Sequence, residues 1–310
     1  MDYELEKQEF WWEQLPQNWQ KVFTQALKSS HPSGSPEFLH ELLHAVSLDC
    51  SSAGLTDLAP IARLQHLHIF KCEGNQIRDL SPLKNLEKIT ILRCGKNKIH
   101  DLSPLAGLST LRELDVHQNE LTGLDVLKHL PQLLTLDASY NPLKGLEFLQ
   151  HASKLETLRL CSAKLRQLWD MQACRNLQTL DISYNHIRDL SPLQDLPRLA
   201  ELNIRANEVS DLQPLFALSE LNYLDARQNL LQRDTVSLLQ VRNKKLNIIF
   251  GADTDGQYSN ANVSGAPTRL LLIAAGVALM LLLGLMFLTF AVSAPAPRTL
   301  EVIPPKTISQ

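Results

Sequence analysis

The stretch from Leu177 to Leu193, LQTLDISYNHIRDLSPL, carries the pattern that decides the fold of this 310-residue chain. Apolar residues precede and follow Asn185 at fixed offsets, and the same offsets recur along the chain in steps of 22 residues. The positions equivalent to Asn185 are Ala53, Asn75, Asn97, Asn119, Asn141, Ala163, Asn207 and Asn229. A fixed period of this length indicates a solenoid, in which each repeat buries its apolar residues by stacking on its neighbours.

Two apolar positions before each asparagine predict a short strand. Leu180 and Ile182 lie five and three residues before Asn185 and therefore share one face of a strand. We expect stacked repeats to join these strands into one parallel sheet, with the asparagine amides bonding the backbone of adjacent turns. This ladder should be weakest at Ala53 and Ala163, which lack the amide.

The segment that returns from each strand often has the sequence DLSPL, as in Asp79–Leu83. A serine N-cap followed by proline at the first helical position predicts a short helix or 3₁₀ turn on the convex side. With this return, the L-x-x-L-x-L-x-x-N repeat resembles the leucine-rich repeat family, and its internalin-type, mostly bacterial branch in particular. The resemblance covers residues 45–251. It implies an α/β solenoid with a curved parallel sheet and short helical or 3₁₀ convex segments.

Residues 1–44 have a different composition and are predicted to form a helical N-terminal cap. Apolar and aromatic residues recur at three- and four-residue spacings around Pro16, which indicates one or two amphipathic helices, and a further helix is expected over 36–46. The segment has no apolar stretch typical of a signal peptide. A cap would cover the open end of the first repeat; the alternative is a docking helix that uses Trp12 and Trp19.

Three segments are predicted beyond the repeats. Residues 252–269 are rich in Gly, Ser, Asn and Asp and are expected to form a flexible linker. Residues 270–292 contain no charged residue and would form a helix of about 34 Å, which is long enough to span a membrane. Residues 293–310 contain four prolines and are predicted to be a disordered tail.

Flanking charges and cysteine content bear on the orientation of the chain in the membrane. Positive residues flank the apolar stretch on both sides, at Arg269, Arg298 and Lys306, so their distribution does not decide the orientation. The odd number of cysteines argues against a disulfide framework and fits a reducing compartment. We therefore predict a single-pass, tail-anchored membrane protein whose repeat domain lies in the cytoplasm.

Three of the five cysteines, Cys50, Cys72 and Cys94, occupy the same position of consecutive repeats. We interpret them as small apolar core residues. The alternative is a metal cluster.

Composition and motifs argue against nucleic-acid binding and catalysis. A net charge of −3 and a pI near 6.4 provide no basic footprint for nucleic acid. No phosphate-binding loop or nucleophile motif occurs, so we expect no cofactor and no small-molecule substrate. An enzymatic alternative would place a metal or a shared proton among Asp115, His117 and Asp137 on adjacent strands.

The concave side of the sheet is the predicted binding surface for a protein partner. Strand residues that point away from the core should be displayed there, and tyrosine and arginine are typical of binding hot spots. The alternative is a solvated polar face whose opposite charges pair between strands. The candidate partner-binding residues are Lys71, Arg93, Asp115, His117, Asp137, Tyr140, Arg159, Asp181, Tyr184, Arg205, Tyr223 and Arg227.

Two functional hypotheses follow. The first is a membrane-tethered leucine-rich repeat module for protein–protein interaction, held at the membrane by its C-terminal helix. The second, which the internalin resemblance suggests, is a cell-surface receptor or adhesin with exported repeats.

Overall fold

The computed structural model describes residues 2–168 and 171–251, and its main feature is a sheet of ten parallel strands in sequence order. From β1 to β9 each residue pairs with the one 22 positions further on, for example Leu48 with Phe70. The predicted parallel sheet and its repeat are therefore confirmed. The strands are β1 Ser47–Asp49, β2 Ile69–Lys71, β3 Ile91–Arg93, β4 Glu113–Asp115, β5 Thr135–Asp137, β6 Thr157–Arg159, β7 Thr179–Asp181, β8 Glu201–Asn203, β9 Tyr223–Asp225 and β10 Asn247–Ile249.

The last strand departs from this register. A continued 22-residue register would align Ile248 with Ala226. Instead Ile248 pairs with Leu224, 24 residues earlier. The helix that precedes β10 replaces the usual short return segment and adds two residues to the connection. Because side chains alternate with a period of two, a shift of two residues keeps Ile248 in the core.

The asparagine ladder is present and connects neighbouring repeats. The Asn119 side chain accepts the N–H of Ile99 at 2.9 Å and donates to the carbonyls of Cys94 and Val116 at 3.1 and 3.0 Å. The residue before the asparagine position is left-handed, with φ between 52° and 58°, in Ser52, Lys96, Gln118, Tyr140, Ser162, Tyr184, Ala206 and Gln228. This conformation ends the strand and turns the following asparagine inward.

The two alanine positions lack the side-chain bonds of an asparagine, but each alanine gains one bond from the next repeat. The Asn185 side-chain oxygen accepts the N–H groups of both Ala163 and Leu165 at 3.0 Å. Asn75 does the same for Ala53 and Leu55. The asparagine of the following repeat therefore makes one additional bond, to the backbone N–H of the alanine itself.

Short 3₁₀ segments form the returns on the other side of the core, as predicted. Their capping differs from the prediction, because the serine is the first residue of the segment rather than its N-cap. Asp189 instead accepts the backbone N–H of Ser191 at 2.8 Å and its hydroxyl at 2.6 Å, which forms an Asx turn. The segments described are Ala59–Arg63, Ser81–Leu83, Ser103–Gly107, Asp125–His129, Glu147–His151, Ser191–Leu193 and Gln213–Ala217.

Three helices precede the sheet: α1 Asp2–Glu13, α2 Gln17–Leu27 and α3 Pro36–Leu43. Trp12 and Trp19 are buried in the same apolar core as β1, and Trp12 meets Phe38 edge to face with ring centroids 5.2 Å apart. Gly34 lies directly against the Trp12 indole at a φ of +82°, where any side chain would collide with the ring. The two tryptophans are therefore not available to a docking partner.

Helix boundaries differ slightly from the sequence expectation. Helix α3 ends at Leu43, three residues earlier than predicted, because Val46 already bonds to the backbone of the next repeat. Its carbonyl accepts the N–H groups of His68 and Ile69 at 2.8 and 3.1 Å. Near the other end, α4 covers Arg233–Arg242.

The three stacked cysteines are core residues. Cys50, Cys72 and Cys94 are buried free thiols, and Cys50 donates to the carbonyl of Lys71 at 3.4 Å. Burial raises the pKa of Cys50 to about 12 and that of Cys94 also above its ordinary value. The interpretation as small apolar side chains is confirmed.

The predicted linker (252–269), membrane helix (270–292) and tail (293–310) lie outside the described residues and stay predictions. Within residues 2–168 and 171–251, no helix combines the length and apolar character needed to cross a membrane.

Candidate protein-binding face

The candidate site lies on the side of the sheet that points away from the core, which we call the open face. The middle residue of each strand is buried, so the first and third residues point outward, together with the residue two positions beyond the strand. Adjacent strands in a sheet lie about 4.8 Å apart, which brings side chains at equal positions into contact. The third residues align in the order Asp49, Lys71, Arg93, Asp115, Asp137, Arg159, Asp181, Asn203 and Asp225.

In the early repeats, charged side chains of the open face bond to one another. Arg93 bonds Glu113 of the next strand at 2.6 Å, and His117 bonds Asp115 of its own repeat at 2.6 Å. The imidazole of His117 occupies the space above Gly95, where a side chain would collide with it. The hydrogen bond to Asp115 raises the pKa of His117.

Asp115 and His117 are thus brought together, but Asp137 is bonded elsewhere. Its carboxylate accepts the backbone N–H of Ser139 at 3.0 Å, and burial, with the neighbouring charge of Asp115, raises the pKa of Asp137. Across residues 2–168 and 171–251, no three His, Cys, Asp or Glu side chains are arranged to hold a metal ion.

The middle repeats carry two exposed tyrosines. Tyr140 and Tyr184 are 54% and 46% exposed, which is unusual for large rings, and both occupy the left-handed position at the end of a strand. Arg205 places its guanidinium 5.3 Å from the ring centre of Tyr184. A hydrogen bond with the Cys161 side chain raises the pKa of Tyr140. We call Tyr140, Cys161, Tyr184 and Arg205 the tyrosine patch.

Cys161 was not among the predicted site residues, although its position in the sequence pattern was available. It lies two residues beyond β6, on the open face, and its backbone N–H donates to the Ser139 hydroxyl at 3.1 Å. Its proximity to Tyr140 follows from the 22-residue register, which places Cys161 next to Ser139 on the adjoining strand.

The remaining predicted residues are engaged to different degrees. Asp181 accepts bonds from the Ser183 hydroxyl at 2.6 Å and the Asn203 amide at 3.1 Å. Arg227 forms a two-bond pair with Asp225 of its own repeat at 2.6 and 3.0 Å. Tyr223 is half-buried at the start of β9, and this burial raises its pKa. Lys71 and Arg159 occupy the third positions of β2 and β6.

Comparisons with known proteins agree with this architecture. Residues 175–217 match the family model for leucine-rich repeats in two copies. A search of curated protein sequences gave no significant match. Residues 175–217 are thus similar to leucine-rich repeats, and the 22-residue register extends the same repeat geometry from β1 to β9.

Solved structures with similar folds include two proteins of Listeria monocytogenes. The internalin inlF of strain 4b F2365 is 26% identical, with a TM-score of 0.60 and coverage of 76% of this chain and 75% of that one. The functional domain of InlJ is 27% identical, with a TM-score of 0.57 and coverage of 68% and 54%. InlJ is described as including a cysteine ladder, and Cys50, Cys72 and Cys94 are stacked here.

A plant protein shares only the fold. The peptide hormone receptor RGFR1, solved in complex with RGF2, is 20% identical with a TM-score of 0.55, and the match covers 66% of this chain and 35% of the receptor.

Proposed function

We propose that this chain is a non-enzymatic protein-interaction module, tethered to a membrane by residues 270–292, whose partner binds the open face around the tyrosine patch. The observation that carries the proposal is the exposure of Tyr140 and Tyr184 beside an open face on which several charged side chains already bond to one another. Large aromatic side chains left exposed beside an arginine are typical of binding hot spots.

The middle repeats are energetically the most favourable centre of the interface. A partner that covers Tyr184 and Arg205 would bury aromatic area and desolvate a cation–π pair that is already formed, so little side-chain entropy is lost. Arg93, Asp115 and His117 would contribute less, because each of them has a charged or polar partner on the face itself. They suit the rim of the interface.

A catalytic role is not part of the proposal. The open face is a sheet surface rather than a desolvated cavity, and the Asp115–His117 pair is bonded internally. We accordingly propose a protein partner, without nucleic acid, small-molecule substrate or cofactor.

The membrane tether and the cytoplasmic location of the repeats belong to the same proposal. The apolar sequence of residues 270–292 supports the tether. The free thiols Cys50, Cys72, Cys94, Cys161 and Cys174 support a reducing compartment for the repeat domain.

The second candidate function is a receptor or adhesin with exported repeats, and the structural similarity to the internalin inlF favours it. Protease treatment of intact cells distinguishes the two. A cytoplasmic repeat domain should remain intact until the cells are permeabilised, whereas an exported one would be degraded at once.

Partner binding is tested with the double variant Tyr184→Ala, Arg205→Ala in full-length protein purified from detergent-solubilised membranes. Truncation of one hot-spot anchor typically costs about 2 kcal/mol, roughly 30-fold in affinity. We therefore expect loss of the co-purifying partner with little change in melting temperature, since both side chains point away from the core. Gln194→Ala, on the 3₁₀ side, is the matched control and should retain the partner. Undiminished capture by the double variant would place the interface elsewhere.

A further inference from the structure

The C-terminal end of the repeat domain has surface properties that the rest of the described structure does not share. Among the described residues, the large aliphatic side chains that stand exposed are Leu230, Leu238 and Val241, at 66%, 59% and 72%. All three fall within 12 consecutive residues around α4. The position of Leu230, directly after the asparagine, is mostly polar in the earlier repeats, as in Lys98 and Glu120.

Helix α4 has two apolar sides, and only one is used by the core. Val236 and Leu239 are buried against the last repeat. Leu238 and Val241 are three residues apart and therefore lie together on the opposite, outward side. A helix of an isolated soluble domain gains nothing from this second apolar side, since the exposed area remains in water.

Charge distinguishes the same segment. Residues 233–245 contain four basic residues and one acidic residue, a net charge of +3, whereas the whole chain has −3. Lys244 and Lys245 are exposed in the turn after α4. Arg242 lies over the ring of Phe216, with its guanidinium 4.9 Å from the ring centre, which holds the positive charge at the surface.

We propose that this surface, comprising Leu230, Leu238, Val241, Lys244 and Lys245, rests on the anionic lipid headgroups of the membrane. The inference rests on the proposed tether, because only 18 residues separate Gly251 from the apolar stretch that begins at Leu270. Even a fully extended chain of 18 residues spans at most about 60–65 Å, so the proposed tether would keep the end of the solenoid within that distance of the bilayer. Exposed aliphatic side chains flanked by lysines suit the boundary between headgroups and acyl chains.

The functional consequence is an oriented module. A solenoid whose last repeat contacts the membrane can adopt fewer orientations relative to the bilayer than one held by the tether alone. The tyrosine patch would then be presented to partners in a restricted range of directions.

The experiment uses the full-length chain in vesicles of phosphatidylcholine, with and without phosphatidylglycerol. Hydrogen exchange of residues 233–245 is measured in both. We expect slower exchange in the anionic vesicles alone, and loss of this difference at high salt, because surface charges are then screened. Equal exchange in both vesicle types would overturn the proposal. If the protection depends on the protein-to-lipid ratio and not on the lipid charge, the surface contacts a second copy of the chain.

Matched variants separate the two contributions. Leu238→Gln with Val241→Gln should abolish the difference in exchange, whereas Phe10→Gln, an exposed apolar residue of α1, should not change it. Lys244→Gln with Lys245→Gln should reduce the protection about 25-fold, since each lysine near an anionic surface contributes about a fivefold change in binding. An unchanged protection in both double variants would contradict the proposal.

Failure of the tether gives a different result. If carbonate extracts the full-length chain from vesicles of either composition, residues 270–292 do not span the bilayer and the tether is wrong. Hydrogen exchange of α4 is measured independently of the carbonate extraction. The lipid contact and the tether are therefore tested by separate measurements.

Discussion

At the scale of single residues, the asparagine ladder couples each repeat to the next, but the asparagines are not equivalent. The side-chain oxygen of Asn185 accepts two backbone N–H groups, those of Ala163 and Leu165 in the preceding repeat. The side-chain oxygen of Asn119 accepts the single N–H of Ile99.

We predict that Asn119→Ala lowers the free energy of unfolding by ~1–3 kcal/mol, because it leaves buried backbone groups unpaired. Asn185→Ala should cost a further ~0.5–1.5 kcal/mol, the contribution of one more hydrogen bond. Urea unfolding measures both, and Gln118→Ala, an exposed neighbour, is the control. An equal or smaller loss for Asn185→Ala would show that the second bond is not stabilising.

The His117–Asp115 pair makes a second prediction at this scale. Its hydrogen bond raises the pKa of His117, so the stabilisation is complete below the ordinary histidine pKa and is lost as the pH rises through the raised value. Gly95→Ala would push the imidazole out of its place above the backbone. We expect the pKa of His117, followed by NMR titration, to fall towards its ordinary value in this variant. A titration that Gly95→Ala leaves unchanged would exclude this arrangement of the ring.

At the scale of elements, five of the seven described 3₁₀ segments begin two residues after an aspartate that accepts the backbone N–H of the first residue. Asp189 holds both the backbone N–H and the hydroxyl of Ser191, and these two bonds lower the pKa of Asp189. A lowered carboxyl pKa means stability that is present above the unfolded value and lost as the pH falls through the folded one.

Asp189→Ala should therefore destabilise the chain by ~0.5–1.5 kcal/mol at neutral pH and by less in acid. Asp195→Ala, an exposed aspartate of the same repeat, should be close to neutral. Thermal melts at neutral and acidic pH test both variants. A loss for Asp189→Ala that does not shrink in acid would argue against a role for the ionised carboxylate.

At the scale of the whole molecule, the buried core runs without interruption from Trp12 on α1 to Ile248 on β10. We predict that a fragment ending at Gly256 is soluble, melts cooperatively and is absent from the membrane fraction, since it keeps every described helix and strand. Aggregation of this fragment would mean that residues 270–292 belong to the folded core. A fragment ending at Arg242 is the contrast: it removes β10, exposes the edge of β9 and should melt at a lower temperature.

Much of this architecture was determined by the sequence alone. The 22-residue recurrence of leucines and asparagines specified the parallel sheet, its register through β9 and the side of each strand that is buried, because a fixed period admits only one way of stacking. The same arithmetic placed the candidate residues on the open face. It also identified Cys50, Cys72 and Cys94 as core positions.

Only the tertiary structure decided how individual side chains use that face. Three features depend on side-chain rotamers and on neighbouring residues. They are the stacking of Arg205 on Tyr184, the position of the His117 imidazole above Gly95, and the Asx turns formed by aspartates such as Asp189. The register of β10 likewise departs from the 22-residue period, because the connection that contains α4 is two residues longer. Periodicity specifies which residues are adjacent, whereas hydrogen-bond competition and packing between adjacent residues select which of them pair and which remain exposed.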